Sequence, residues 1–151
     1  MKKTHQLIGT ICIVTIAVVL ACKIDHGLEP INSGFSGTIH YHNAWPDSLN
    51  EVRLVTTMIS FEELFASISK GDVTKLLFSE PLPTYVDSCQ YTFWTKPATY
   101  SVVMLAGKRS SEKWSEKSIL SIYPNIIAPR SVVIPDKETV VEHIDLTVRF
   151  K

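Results

Sequence analysis

Two kinds of hydrophobic pattern divide this chain. Leu7 to Leu20 is an uncharged, largely apolar run without a period, preceded by Lys2 and Lys3 and closed by Val19-Leu20-Ala21-Cys22. From Phe35 onward the pattern becomes alternation, the mark of strands with one buried face. Phe35, Gly37, Ile39 and Tyr41 point one way, while Ser36, Thr38, His40 and His42 point the other. After a turn over 43–50, carrying Trp45, Pro46 and Asp47, the positions Val52, Leu54, Thr56 and Met58 continue as a second strand. An opening hairpin is expected. Between the two patterns, residues 22–34 keep neither period and carry Gly27, Pro30 and Gly34, so they are expected to form a flexible tether.

One stretch departs from alternation. Ser60 stands three residues before Glu63 as a capping box, and Phe61, Leu64, Phe65 and Ile68 share one helical face before Gly71. Leu76 to Phe78 suggests a brief edge strand ahead of Pro81 and Pro83, which have no N–H for a ladder. Thr84 to Thr95 is expected to be the longest strand, with Tyr85, Asp87, Cys89, Tyr91 and Phe93 on its core face. Lys96-Pro97-Ala98-Thr99 then turns the chain into a strand through Tyr100, Val102, Met104 and Ala106, and 108–117 is expected to be a polar loop bearing Trp114. Ile119 to Tyr123 and Ser131 to Ile134 are short strands around a proline-bounded loop. The last strand directs Ile144, Leu146, Val148 and Phe150 inward and Asp145, Thr147 and Arg149 outward. About seven short strands and one inserted helix predict an all-β, antiparallel Greek-key sandwich over residues 35–151.

The charged, apolar and small-residue order of residues 1–21 is the layout of an export signal. As a helix, Leu7 to Leu20 would reach about 21 Å, short of the ~30 Å hydrocarbon core, so a permanent membrane span is the poorer reading. Val19-Leu20-Ala21-Cys22 resembles the bacterial lipobox. That resemblance implies a diacylglyceryl thioether on Cys22 and cleavage just before it, the alternative being ordinary cleavage after Ala21 and a soluble product. Small Ala21 admits the peptidase, and the thiol of Cys22 supplies the sulfur nucleophile. At ~0.8 kcal/mol for each buried methylene, two or three acyl chains make a lasting anchor. Lys23 stands where the aspartate of inner-membrane retention in enteric bacteria would be. The resemblance therefore implies the outer membrane, with its periplasmic and surface faces both open.

Charge narrows the functions. Lysine plus arginine and aspartate plus glutamate are 15 each, and Lys2 and Lys3 belong to the leader, which leaves 13 against 15 in the mature chain. A nucleic-acid binder would need a basic face, so none is expected as partner. Of three cysteines, Cys12 lies in the leader and Cys22 at the cleavage site; Cys89 alone remains, without an intramolecular disulfide partner.

The opening Gly37-Thr38-Ile39, the aromatic strand running through Lys96-Pro97-Ala98-Thr99-Tyr100, and the closing Val132-Val133-Ile134 and Ile144-Asp145-Leu146-Thr147-Val148 resemble the carboxypeptidase-regulatory or transthyretin-like β-sandwich of envelope lipoproteins. The resemblance covers Phe35 to Lys151 and implies an accessory module rather than a catalyst.

Candidate chemistry is sparse. His40 and His42 leave the same strand face, the spacing at which two imidazoles could share a zinc or copper ion, but a third ligand from Asp47, Glu142 or His143 is not placed by the sequence. A solvated face is the simpler expectation, and no metal or cofactor is expected. Cys89 is expected to be a buried structural thiol, since neighbouring Asp87 disfavours a thiolate. Trp45 and Trp114, in a turn and a loop, are the better candidates for a sugar-stacking platform; Trp94 and Tyr123 are the weaker ones. The acidic pairs Glu62-Glu63 and Glu112/Glu116 read as solvated surface. The sequence thus favours a lipid-anchored, non-enzymatic envelope protein with a structural or protein-interaction role, the alternative being a glycan-binding module.

Overall fold

The computed structural model describes residues 31–109 and 112–150; the expected leader, Cys22 and most of the expected tether lie outside the described residues. Strands dominate, in several sheets with a single α-helix among the described residues, so the fold is mainly β. One sheet holds β1 (Gly34–His42), β4 (Ser88–Trp94), β9 (Val140–Val141) and β10 (Leu146–Arg149), with β1 between β4 on one side and β9 and β10 on the other. A second contains β2 (Leu49–Thr57), β3 (Leu77–Phe78), β6 (Val102–Arg109) and β7 (Ile119–Ile122) in the order β3-β2-β6-β7. The third is the short pair β5 (Ala98–Tyr100) and β8 (Val132–Ile134). Helix α1 spans Phe61–Ser69.

The core sits where the inner faces of the two larger sheets meet. Phe35, Ile39 and Tyr41 of β1, Tyr91 and Phe93 of β4, and Leu146 and Val148 of β10 pack in one cluster with Val52 and Leu54 of β2 and Val103 and Leu105 of β6. Phe35 anchors it, stacking on Phe93 at 5.1 Å and meeting Tyr91 edge-on at 6.4 Å. A second cluster lies on the other face of the β2–β6 sheet, where Val55, Val102, Met104, Ala106 and Ile122 receive Leu64 and Ile68 from α1. Covering both faces explains why 102–107 is apolar without alternation: every residue there is buried.

Local signals place α1. Ser60 Oγ accepts from Glu63 N, one half of the capping box, and Leu64 and Ile68 supply the buried face. At the other end Gly71 adopts φ +73, where a side chain would be strained, and the Gly71 and Asp72 amides donate to Ile68 O and Ser67 O in a Schellman closure.

Several expectations need correction. The sheets are not all antiparallel: β1 pairs in parallel with both β9 and β10. Alternation records which face is buried but not strand direction, which is set by where the preceding connection delivers the chain. Here the 135–139 turn brings it back beside the start of β1, where Gly34 N donates to Thr139 O. Among the described residues ten strands form rather than about seven, and β9 carried no alternation long enough to read. The longest strands are β1 and β2, because the expected 84–95 strand starts only at Ser88. Tyr85 adopts φ +59, which breaks the pleat and leaves Tyr85 and Asp87 exposed rather than on the core face. Met58 lies past the end of β2 and is exposed. The expected strand through Tyr100 and Ala106 is interrupted at Ser101, so Tyr100 enters the main core while Val102, Met104 and Ala106 face the helix. Order also begins before Phe35: Ser33 is buried, with Oγ donating to Thr95 O, and Gly34 already belongs to β1.

Candidate functional site

A bulge arises where β9 gives way to β10 along the edge of β1. Gly34 faces Val140 and Ile39 faces Leu146, so five steps along β1 answer six along its neighbour. The extra residue makes the bulge, in which His143 adopts φ +63. Gly37 permits it: a Cβ at this position would lie 2.3 Å from Ile144 O. Three bonds then hold the bulge to the sheet. Ile144 N donates to Ser36 O, the Tyr91 hydroxyl to Ile144 O, and Thr38 N to Asp145 Oδ1 at 2.7 Å.

Beside the bulge, on the outward face of β1 and β4, is a shallow open depression of about 430 Å³. Ser36, Thr38, Gln90 and Thr92 line it from the strands, and Glu142, His143 and Asp145 from the bulge. Its chemistry is hydroxyl, amide, carboxylate and imidazole, suited to hydrogen bonding with a polar ligand. Trp94 follows two residues after Thr92 on the same face and is 56 % exposed.

Of the residues singled out in the sequence, Glu142 and His143 line this depression and Trp94 lies on the same face, while the others fall elsewhere. His40 and His42 are exposed on β1, opposite Thr147 and Arg149, whereas Glu142 and His143 line the depression near Ser36 and Thr38. No group of three or more metal-ligating side chains is assembled among the described residues. Trp45 and Trp114 are half-buried in different clusters. Trp45 packs on Tyr41 and Phe150 at 4.5 and 4.8 Å and donates Nε1 to Val86 O, pinning the 43–48 loop. Trp114 packs on Phe78 at 5.3 Å, with Lys108 Nζ 5.8 Å from its ring centre. Both indoles hold loops to the body of the domain. Cys89 is half-buried rather than fully so, with Sγ 3.8 Å from the Tyr41 hydroxyl, and burial pushes its thiol up despite that bond.

Alternation assigned Ser36, Thr38, Gln90 and Thr92 to an outward face but could not bring Glu142, His143 and Asp145 to them. The single available signal was Gly37 within an otherwise filled strand, since glycine there marks a close approach by another backbone. Comparison with family models, curated proteins and solved structures finds no match to this chain.

Proposed function

We propose that the protein is a lipid-anchored component of the bacterial cell envelope, attached through acyl chains on Cys22 to the outer membrane, and that its domain serves a structural or protein-interaction role without catalysis. The observation that carries this reading is the leader, whose basic start, apolar run and Val19-Leu20-Ala21-Cys22 ending stand only nine residues ahead of the folded domain at Ile31. In this reading the domain is a Greek-key sandwich of the carboxypeptidase-regulatory or transthyretin-like kind, modified by the parallel closing strand.

Its polar core groups are satisfied internally. The Tyr91 hydroxyl is committed to Ile144 O, Thr56 Oγ1 to Val102 O, and Ser33 Oγ to Thr95 O. Strand β4, seven residues long, is the outer strand of its sheet, and such an edge is a template for an added strand from a partner. The test is mass spectrometry of the protein taken from envelopes. A mature chain starting at Cys22 with fatty acids attached is expected, and Cys22→Ala should accumulate the uncleaved precursor. A free, unmodified cysteine at that start would refute the anchor.

A second reading, glycan binding, is favoured by the polar depression with exposed Trp94 on the same face. A pyranose stacked on the indole would present hydroxyls to Gln90 and Thr92. Titration with envelope oligosaccharides should then shift the amide resonances of Gln90, Thr92 and His143, and an unchanged spectrum would end this reading.

A further inference from the structure

Most of the exposed large apolar side chains gather at one end of the domain, whereas Tyr85, beside Trp45, lies at the other. Ile31, Met58, Trp94, Ile126, Ile127 and Val133 are all exposed, Ile127 to 92 %. Hydrogen bonds tie together the segments that carry them. Thr95 N donates to Ser33 O, joining the end of β4 to the start of β1. Thr95 Oγ1 lies 2.6 Å from the Tyr100 hydroxyl at the end of β5, and Val133 faces Thr99 across the β5–β8 ladder. Ser101 N donates to Thr57 O and its hydroxyl to Met58 O, which brings in the end of β2 and the start of β6. Tyr123 N donates to Val103 O, so the 124–131 loop leaves from the same corner. Trp45 and Trp114 lie in the β1–β2 and β6–β7 connections, at the opposite end.

The 124–131 loop holds Ile127 outward by construction, while Ile126, also exposed, lines a recess along β7 with Leu120 and Thr147. Asn125 Oδ1 accepts from Ile127 N at 3.0 Å and Ala128 N at 2.9 Å, and Arg130 N closes the base on Tyr123 O at 3.1 Å. Such a turn resists the collapse that would otherwise remove Ile127 from water.

We propose that this end of the domain rests on the lipid bilayer, with Ile126 and Ile127 inserted at the boundary of headgroups and acyl chains and Trp94 in the interface. The inference rests on the reading of Cys22 as an anchor. From Cys22 to Ile31 a fully extended chain reaches at most about 32 Å, so the end where β1 begins lies within that distance of the anchor. The opposite end can lie up to about 30 Å further off, the length of a nine-residue strand such as β1. The apolar residues thus occupy the end at which the chain from Cys22 enters the domain, and an indole with an apolar body and a polar N–H suits the interface.

The test uses the full chain, purified from envelopes and reconstituted into phosphatidylethanolamine and phosphatidylglycerol vesicles with brominated acyl chains. Bromine quenches tryptophan on contact, and Trp94 is the indole at the anchored end. Emission should fall relative to unbrominated vesicles, Trp94→Phe should abolish the loss, and Ile126→Ser with Ile127→Ser should reduce it while the fold is kept. A mass spectrum of the same sample separates the two failures: a chain without acyl mass overturns the anchor and this inference together, whereas an acylated, vesicle-bound chain with no quenching overturns the inference alone. A concentration-dependent dimer in detergent, with unquenched emission in vesicles, would assign the surface to a second copy and likewise overturn it.

Discussion

Replacing Gly37 by alanine is the sharpest probe of how the sheet is closed. The added methyl would meet Ile144 O at 2.3 Å, Ile144 C at 2.6 Å and Ile144 N at 3.0 Å, all backbone atoms that cannot rotate away. Either β1 or the bulge must shift by roughly 1 Å to restore ordinary contact, an overpacking strain of about 1–3 kcal/mol. The shift also loosens the bonds from Ile144 N to Ser36 O and from the Tyr91 hydroxyl to Ile144 O, each worth about 1 kcal/mol. The expected total is about 3–5 kcal/mol, which at roughly 3–6 °C per kcal/mol for a domain of this size lowers Tm by 10 °C or more. Urea unfolding followed by tryptophan emission measures it. Gly71→Ala is the control: nothing lies within 4 Å of its Cβ, so only the strain of φ +73 acts, about 1 kcal/mol. If Gly37→Ala lost no more than Gly71→Ala, the close approach of Ile144 would not be what positions the bulge.

Three further outcomes follow from the same geometry. Tyr91→Phe keeps the ring against Phe35 but leaves buried Ile144 O without its donor, so a loss of about 1–3 kcal/mol is expected in urea unfolding; an unchanged midpoint would mean that water replaces the hydroxyl. Leu64→Ala empties the fully buried contact between α1 and the β2–β6 sheet, with an expected loss of about 2–5 kcal/mol and faster amide exchange across 61–69; a loss under ~1 kcal/mol would show a helix only loosely docked. Burial pushes the phenols of Tyr41 and Tyr91 well above their ordinary value. Because the unfolded chain releases those protons first, stability should hold below roughly pH 10 and fall above it; midpoints that rise with pH in that range would contradict the shifts, and Tyr91→Phe should flatten the decline.

Legibility followed the range of the interactions involved. The helix was readable because Ser60, Leu64, Ile68 and Gly71 act within a few turns of one another. The facing of β1 and β10 was readable because period-two burial is written in adjacent residues, and Phe35, Ile39, Leu146 and Val148 are buried as alternation required. The strand expected over 84–95 failed where one residue, Tyr85, takes a left-handed conformation that its type does not announce. The depression was out of reach for a different reason. Its strand residues and its bulge residues are distant in sequence; Thr38 and Asp145, which bond directly, are separated by 107 positions.

The order of hydrophobic and polar residues by itself determined that this chain builds a mainly β domain with one capped helix, and which faces of most strands turn inward, because these depend on neighbours a few residues apart. The tertiary structure alone decided that the last strands run parallel to the first, that β6 and the second half of β2 are buried on both faces, and that Trp45 and Trp114 hold loops to the body of the domain. These outcomes depend on where a connection delivers the chain and on which backbone can approach which, and Gly37 beneath Ile144 is the contact in which that difference is most concrete.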